Sequence, residues 1–283
     1  MAQQFGFSPT PRGNDGLYTK VFGRGPRTLV FIAGLGGTTR YWDARIGPLC
    51  RNHRIVLVDL LGFGESPKPW AKYDVERHVD ALDSALADFG PITIVGHSLG
   101  ALLAIAYAAR HPERIDSTVL ISLPYFDSQE AAFQYMRGGP VKSGFVYSNL
   151  FLTMLACIIT RRVLGKALPC FIRDMPREVV EDLVKHTWRS STSSLWEVVY
   201  RHNAEVDLRA VVPAIKMLCI HDSEDVIAPV QSVQDLAAHF PNLDLHILDG
   251  VDHHPFLRAP EKCRDLIANF VQRNSRAPIA EQR

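Results

Sequence analysis

The chain has 283 residues, 47% apolar and 22% charged, enough to bury one sizeable core or a core with a small accessory domain and too apolar for an extended disordered chain. Its 31 Lys and Arg against 30 Asp and Glu leave a formal charge of +1 with no basic stripe, which argues against a dedicated nucleic-acid binder. The five cysteines, Cys50, Cys157, Cys170, Cys219 and Cys263, form no C-x-x-C pair and leave one unmatched. That favours packing thiols in a reducing, cytoplasmic setting, and the opening Met1 to Pro9 lacks the basic start and apolar run of a signal peptide.

In chain order, Arg27 to Ala33 (RTLVFIA) reads as a buried strand running into Gly34-Leu35-Gly36-Gly37. Ile55 to Asp59 (IVLVD) is a second strand, ended by the Gly62-Phe63-Gly64 turn, and Ile92 to Val95 is a third. An Ala/Leu-rich helix follows the third and stops near His111-Pro112, and Thr118 to Leu123 makes a fourth strand. Continuous apolar strands alternating with helices indicate an α/β fold with a mostly parallel sheet covered on both faces. The rhythm resumes with strands at Lys216 to His221 and Leu243 to Leu248 around a helix at Val230 to Phe240. A final helix spans Glu261 to Gln272, and a frayed tail is expected from Asn274 on.

Residues 124–206 interrupt this rhythm with helical patterns only, so a core of 1–123 and 207–283 is expected to carry 124–206 as an inserted helical cap. Asp174-Met175-Pro176 sets up a helix start before Val179, Val180, Leu183 and Val184. Ser194 and Glu197 have capping-box spacing ahead of Val198 and Val199. The apolar run from Gly144 to Thr160 is shorter than a bilayer requires and carries Ser148, Asn149 and Thr153, so no stable membrane insertion is expected. Its Val146 to Ile159 stretch, ending at Arg161-Arg162, has three readings: a helix packed on the core, an acyl-pocket lining that would use Phe151, Met154 and Leu155, or an interfacial membrane contact.

Gly96-His97-Ser98-Leu99-Gly100 carries the chemistry. It fits the nucleophile elbow and has the required strand before and helix after. The turn is so tight that the residues two before and two after the serine must lack side chains. In return the hydroxyl is exposed at a helix N-terminus, where N–H groups and the helix dipole favour a developing oxyanion.

With this motif in this setting, the chain resembles the α/β-hydrolase fold family over most of its length, least in the cap. The resemblance implies an acid and then a histidine after the serine. The family's acid sits four residues before a proline, which selects Asp225 before Pro229 over Asp222 and Glu224. Its base sits seven residues before a Pro-Glu pair, which selects His253 before Pro260-Glu261, with His254 the rival. The expected oxyanion donors are the backbone N–H groups of Leu99 and Leu35, with Gly36 the second choice for the latter. Ala33 stands where the family commonly has histidine, Asp222 where it often has glycine, and Asp252 where it has a small residue. Trp42 falls where such chains carry a tryptophan under the oxyanion loop.

Competing chemistries fit less well. Gly34-Leu35-Gly36 with Asp59 mimics the start of a dinucleotide fingerprint, but Thr39 holds the third glycine's place and bulky Tyr41 and Trp42 follow. No cofactor is therefore expected. The His221-Asp222 and His253-His254 pairs lack metal-ligand spacing, so no metal is expected either. Serine at position 98 argues against the family's aspartate-nucleophile dehalogenases and epoxide hydrolases. The expected activity is a cofactor-free serine hydrolase cleaving a small, largely apolar ester. Thioester hydrolysis, acyl transfer, carbon–carbon cleavage on the same triad and a non-catalytic binding protein are the alternatives. Oligomeric state is not readable.

Overall fold

Among the described residues, seven strands form one sheet in the order β1-β3-β2-β4-β5-β6-β7: β1 Thr19–Phe22, β2 Arg27–Ile32, β3 His53–Val58, β4 Ile92–His97, β5 Ile115–Ile121, β6 Lys216–Asp222 and β7 Leu243–Leu248. The computed structural model describes residues 16–274 apart from 140, 142, 166, 212 and 213. The opening segment read for a signal peptide and the tail beyond Asn274 lie outside the described residues. Strands β2 to β7 pair in parallel and β1 runs antiparallel to β3. The six parallel strands match those read from the sequence. β1 was not expected: its four residues, TKVF, are too few for an alternating pattern to stand out.

The central strands are apolar on both faces because helices cover both. On one side the Leu99–Arg110 helix is buried almost all round, packed with Val75–Leu86 and Ala204–Val211 over Val30, Val56 and Ile94. On the other, Phe31, Trp42, Phe256 and Ile267 form a second core. Trp42 is fully buried and meets Phe256 edge-on at 4.9 Å.

Between β5 and β6 the described residues contain helices and no named strand. This segment has a small core of its own, Ala132, Met136, Leu195, Trp196 and Tyr200. Small hydroxyl residues fasten it to the loop and helix between β3 and β4. Along the Trp188–Ser194 helix, Ser190 Oγ donates to Gly62 O (2.8 Å), Ser193 Oγ accepts from Tyr73 N (2.9 Å) and Ser194 Oγ lies 2.9 Å from His78 Nε2. Side chains this short let two backbones approach while satisfying buried polar groups. The capping box expected at Ser194 is absent. Ser194 is helical and its side chain caps nothing, because the chain continues into a π-helical turn at Leu195–Tyr200. The box lies one helix earlier, where Thr187 and Ser190 cap each other's backbone N–H groups.

Candidate active site

Parallel strands in register deliver their C-terminal ends to one edge of the sheet, where α/β folds place their sites. Ser98 follows β4 directly, Asp225 lies just beyond β6, and His253 lies just beyond β7. The structure brings these three together. His253 Nδ1 is 2.8 Å from Asp225 Oδ2, and His253 Nε2 is 2.9 Å from Ser98 Oγ. An ionised carboxylate only accepts hydrogen bonds, so the imidazole proton sits on Nδ1 and Nε2 is free to accept from the serine hydroxyl.

Ser98 has φ 53° and ψ −121°, a left-handed conformation that costs a side-chain-bearing residue about 1–3 kcal/mol. The fold fixes it there: Ser98 N donates to Ile121 O at 2.9 Å, and Ser98 O accepts from Ala101 N at 2.8 Å. A Cβ at Gly100 would stand 2.6 Å from Ile32 O, and one at Gly96 would strike the Gly100 carbonyl. Both elbow glycines are therefore required sterically.

The Asp225 carboxylate is held by a turn built for it, with Oδ1 accepting from Ile227 N (2.8 Å) and Ala228 N (3.0 Å). Burial opposes its charge. The hydrogen bond and charge of His253, with the Ala228 N–H and nearby His221, outweigh burial and lower the carboxyl to about 2. Asp222, the departure at the start of this turn, ties it to the histidine loop by accepting from Glu224 N (2.7 Å) and Val251 N (2.6 Å). Asp252 is engaged elsewhere: it accepts from His254 N and pairs with Arg258 at 2.7 Å.

Two further histidines shape the site: His97, which the sequence reading did not single out, and His221, which it considered with Asp222 as a metal ligand and set aside. His97 is buried and lies 2.7 Å from the His253 carbonyl oxygen through Nε2, and Tyr41 stacks on its ring at 4.8 Å. Burial, then the neighbouring His253 and His254, push its pKa well below the ordinary value. It is neutral, and its Nε2–H holds the loop that carries His253. His221 is fully buried and donates Nε2–H to Ala228 O at 2.8 Å, bracing the acid turn. Their signal in the sequence was only adjacency, one beside the serine and one beside the acid turn. His254 lies at the edge of the site, 3.4 Å from the Tyr41 hydroxyl and lowered to about 4, chiefly by burial and then by His253.

Ser98, Leu99, Leu35 and His253 open onto a cavity of about 340 Å³ whose other walls include Met136, Met175, Val179, Leu183, Leu195 and Val199. Leu35 follows β2 and Leu99 begins the elbow helix, where the first N–H groups lack a carbonyl four residues back. The expected pocket residues do not line this cavity. Phe151 and Leu155 are 63% and 40% exposed, and Met154 is partly buried elsewhere. The physical reason is rotation of their helix, Leu150–Ile159. It turns Thr153 inward, and Cys157 Sγ meets Ser191 Oγ at 3.5 Å, so the other face points away. Asp59, the acid of the rejected dinucleotide reading, is occupied by Thr39 N (2.6 Å) and Glu65 N (2.8 Å). Among the described residues no cluster of three or more His, Cys, Asp or Glu could hold a metal ion.

A parallel sheet with a strained serine at one strand end and a histidine and carboxylate at two others defines a hydrolase architecture. Residues 29–266 match the alpha/beta hydrolase family, and the chain belongs to it. An uncharacterized protein of Mycobacterium tuberculosis is 27% identical over 263 residues, covering 89% of this chain and 77% of that one. Probable lysophospholipase BODYGUARD 4 of Arabidopsis thaliana is 25% identical over 256 residues, 80% of this chain but only 59% of the plant protein. Among solved structures the fold is shared with a membrane phospholipase A described as a bacterial virulence factor, at a TM-score of 0.72 and 22% identity over 96% of this chain and 88% of that one. It is also shared with a carboxylesterase of Nitrososphaera gargenis, at 0.66 and 21% over 95% and 98%.

Proposed function

We propose that this α/β hydrolase is a cofactor-free serine esterase acting on esters of largely apolar carboxylic acids. The observation that most supports this is the continuous hydrogen-bonded line from Asp225 through His253 to Ser98, ending on a cavity walled by aliphatic and methionine side chains. Lysophospholipase and carboxylesterase names among relatives and fold neighbours agree with an ester.

In this reading His253 Nε2 removes the Ser98 proton as Oγ attacks the ester carbonyl. Asp225 stabilises the imidazolium that forms, and general-base help of this kind contributes about 10²–10⁴-fold. The Leu99 and Leu35 N–H groups receive the oxyanion, each donor contributing about 10²–10³-fold. The tetrahedral intermediate collapses as His253 protonates the departing alkoxide, leaving Ser98 acylated. Water activated by His253 then releases the acid and restores the serine. Residues 124–206 act as a cap whose Met136, Val179, Leu183, Leu195 and Val199 hold the acyl group.

A fluorophosphonate probe and a panel of p-nitrophenyl esters from acetate to laurate test this. The expected result is labelling at Ser98, abolished in Ser98→Ala, with turnover favouring the more apolar acyl groups. Protein that neither labels nor hydrolyses any ester refutes it.

A further inference from the structure

We propose that the outer face of the helices around 145–164 docks this protein onto an anionic lipid surface, bringing the cavity mouth to the layer. Phe151, Leu155 and Ile159 recur every fourth residue, so they share one face of their helix, and all three are exposed. The opposite face, with Thr153 and Cys157, packs inward. A helix apolar all round normally belongs inside a core, yet this one is covered on one side only. Exposed Phe145 and Tyr147 extend the apolar surface before it, and Val163 (72% exposed) and Leu164 extend it after.

The charges at its end select the occupant. Arg161 and Arg162 follow on the next turn, both exposed, and among the described residues neither has an acidic partner within salt-bridge distance. Burial chiefly lowers the pKa of Lys68, and repulsion from Arg161 adds to it. An apolar face beside unpaired arginines complements a layer with acyl chains beneath anionic headgroups. A second copy seated about a two-fold axis would bring the same arginines to the shared rim of a self-complementary patch. The helix has ten residues, and no helix among the described residues is long and apolar enough to cross a membrane, so the contact is peripheral. Tyr147 joins this face to the site, since it is exposed and also lines the cavity. Docking itself does not depend on Ser98 being a nucleophile, so binding can fail or succeed independently of the esterase reading.

Sedimentation of the full chain with sucrose-loaded phosphatidylcholine vesicles, with and without about 30 mol% phosphatidylglycerol, measures docking directly. The protein should pellet with the anionic vesicles, much less with phosphatidylcholine alone, and release at about 0.5 M salt. Arg161→Gln with Arg162→Gln should weaken binding about 30-fold, and Ile159→Ser with Val163→Ser about tenfold or more, with thermal melting unchanged. No vesicle binding, or wild-type binding by both folded double variants, overturns the proposal. So does a concentration-dependent dimer that Ile159→Ser with Val163→Ser abolishes, because the occupant would then be a second copy.

Discussion

Replacing Asp225 by asparagine exchanges one oxygen for an NH₂ group, and the surrounding turn dictates which one. Oδ1 accepts two backbone N–H bonds, from Ile227 and Ala228, so the amide oxygen must stay there and the NH₂ must face His253 Nδ1. A donor at that position forces the imidazole proton from Nδ1 to Nε2, where it faces Ser98 Oγ at 2.9 Å. The base then presents a hydrogen to the nucleophile instead of a lone pair. When a triad aspartate is replaced in this way the cost is about 10⁴-fold in turnover, or about 5.5 kcal/mol of transition-state stabilisation. The assay is kcat/KM on a short p-nitrophenyl ester together with the second-order rate of fluorophosphonate labelling, and both should fall together. A folded Asp225→Asn variant within about tenfold of wild type would refute the tautomer argument. Asp222 and Glu224 would then need testing as the acid.

Other perturbations test separate parts of the structure. Ser98→Gly should abolish labelling yet stabilise the fold by about 1 kcal/mol, because glycine adopts the elbow's positive φ without strain; a lower melting temperature would contradict the strain argument. Val199→Trp fills part of the cavity wall and should shift ester preference toward shorter acyl groups while acetate turnover persists, and an unchanged chain-length profile would remove Val199 from the acyl site. His78 is held neutral at a pKa of about 4, mainly by burial. Since its folded pKa lies below the unfolded value near 6.5, the unfolded chain binds a proton the native state refuses. Stability should therefore fall as pH drops from about 6.5 to about 4, by about 1.4 kcal/mol per pH unit and about 3 kcal/mol in total. Asp59, raised to about 6 chiefly by burial, acts in the opposite direction over part of this range, so the readout is the difference between wild type and His78→Leu in urea unfolding from pH 7 to 4.5. Parallel curves would place the titration elsewhere.

Much of the fold was legible because its strands are apolar on both faces and bounded by glycine turns, a pattern that local sequence carries. Edge strand β1 was not, since pairing with β3 rather than its own four residues defines it. Ser98 stood out because the elbow's steric demands are written into five consecutive residues. Asp225 and His253 were expected only because the resemblance to the α/β-hydrolase family implies an acid and a base at set distances before Pro229 and Pro260. That those two residues meet Ser98 at hydrogen-bond distance is a consequence of strand order and register.

The layered α/β architecture and the serine elbow were legible locally, because backbone geometry and turn chemistry act over a few residues, whereas the acid and histidine were expected only through the family resemblance. Tertiary structure alone decided which apolar side chains wall the cavity. Phe151, Met154 and Leu155 look as suited to a pocket as Val179, Leu183 and Val199, since all are apolar residues in or beside helices. Which face turns inward depends on partners far along the chain, among them the hydroxyl-rich Trp188–Ser194 helix. The same rotation that removes Phe151 and Leu155 from the cavity leaves them on the surface, beside unpaired arginines.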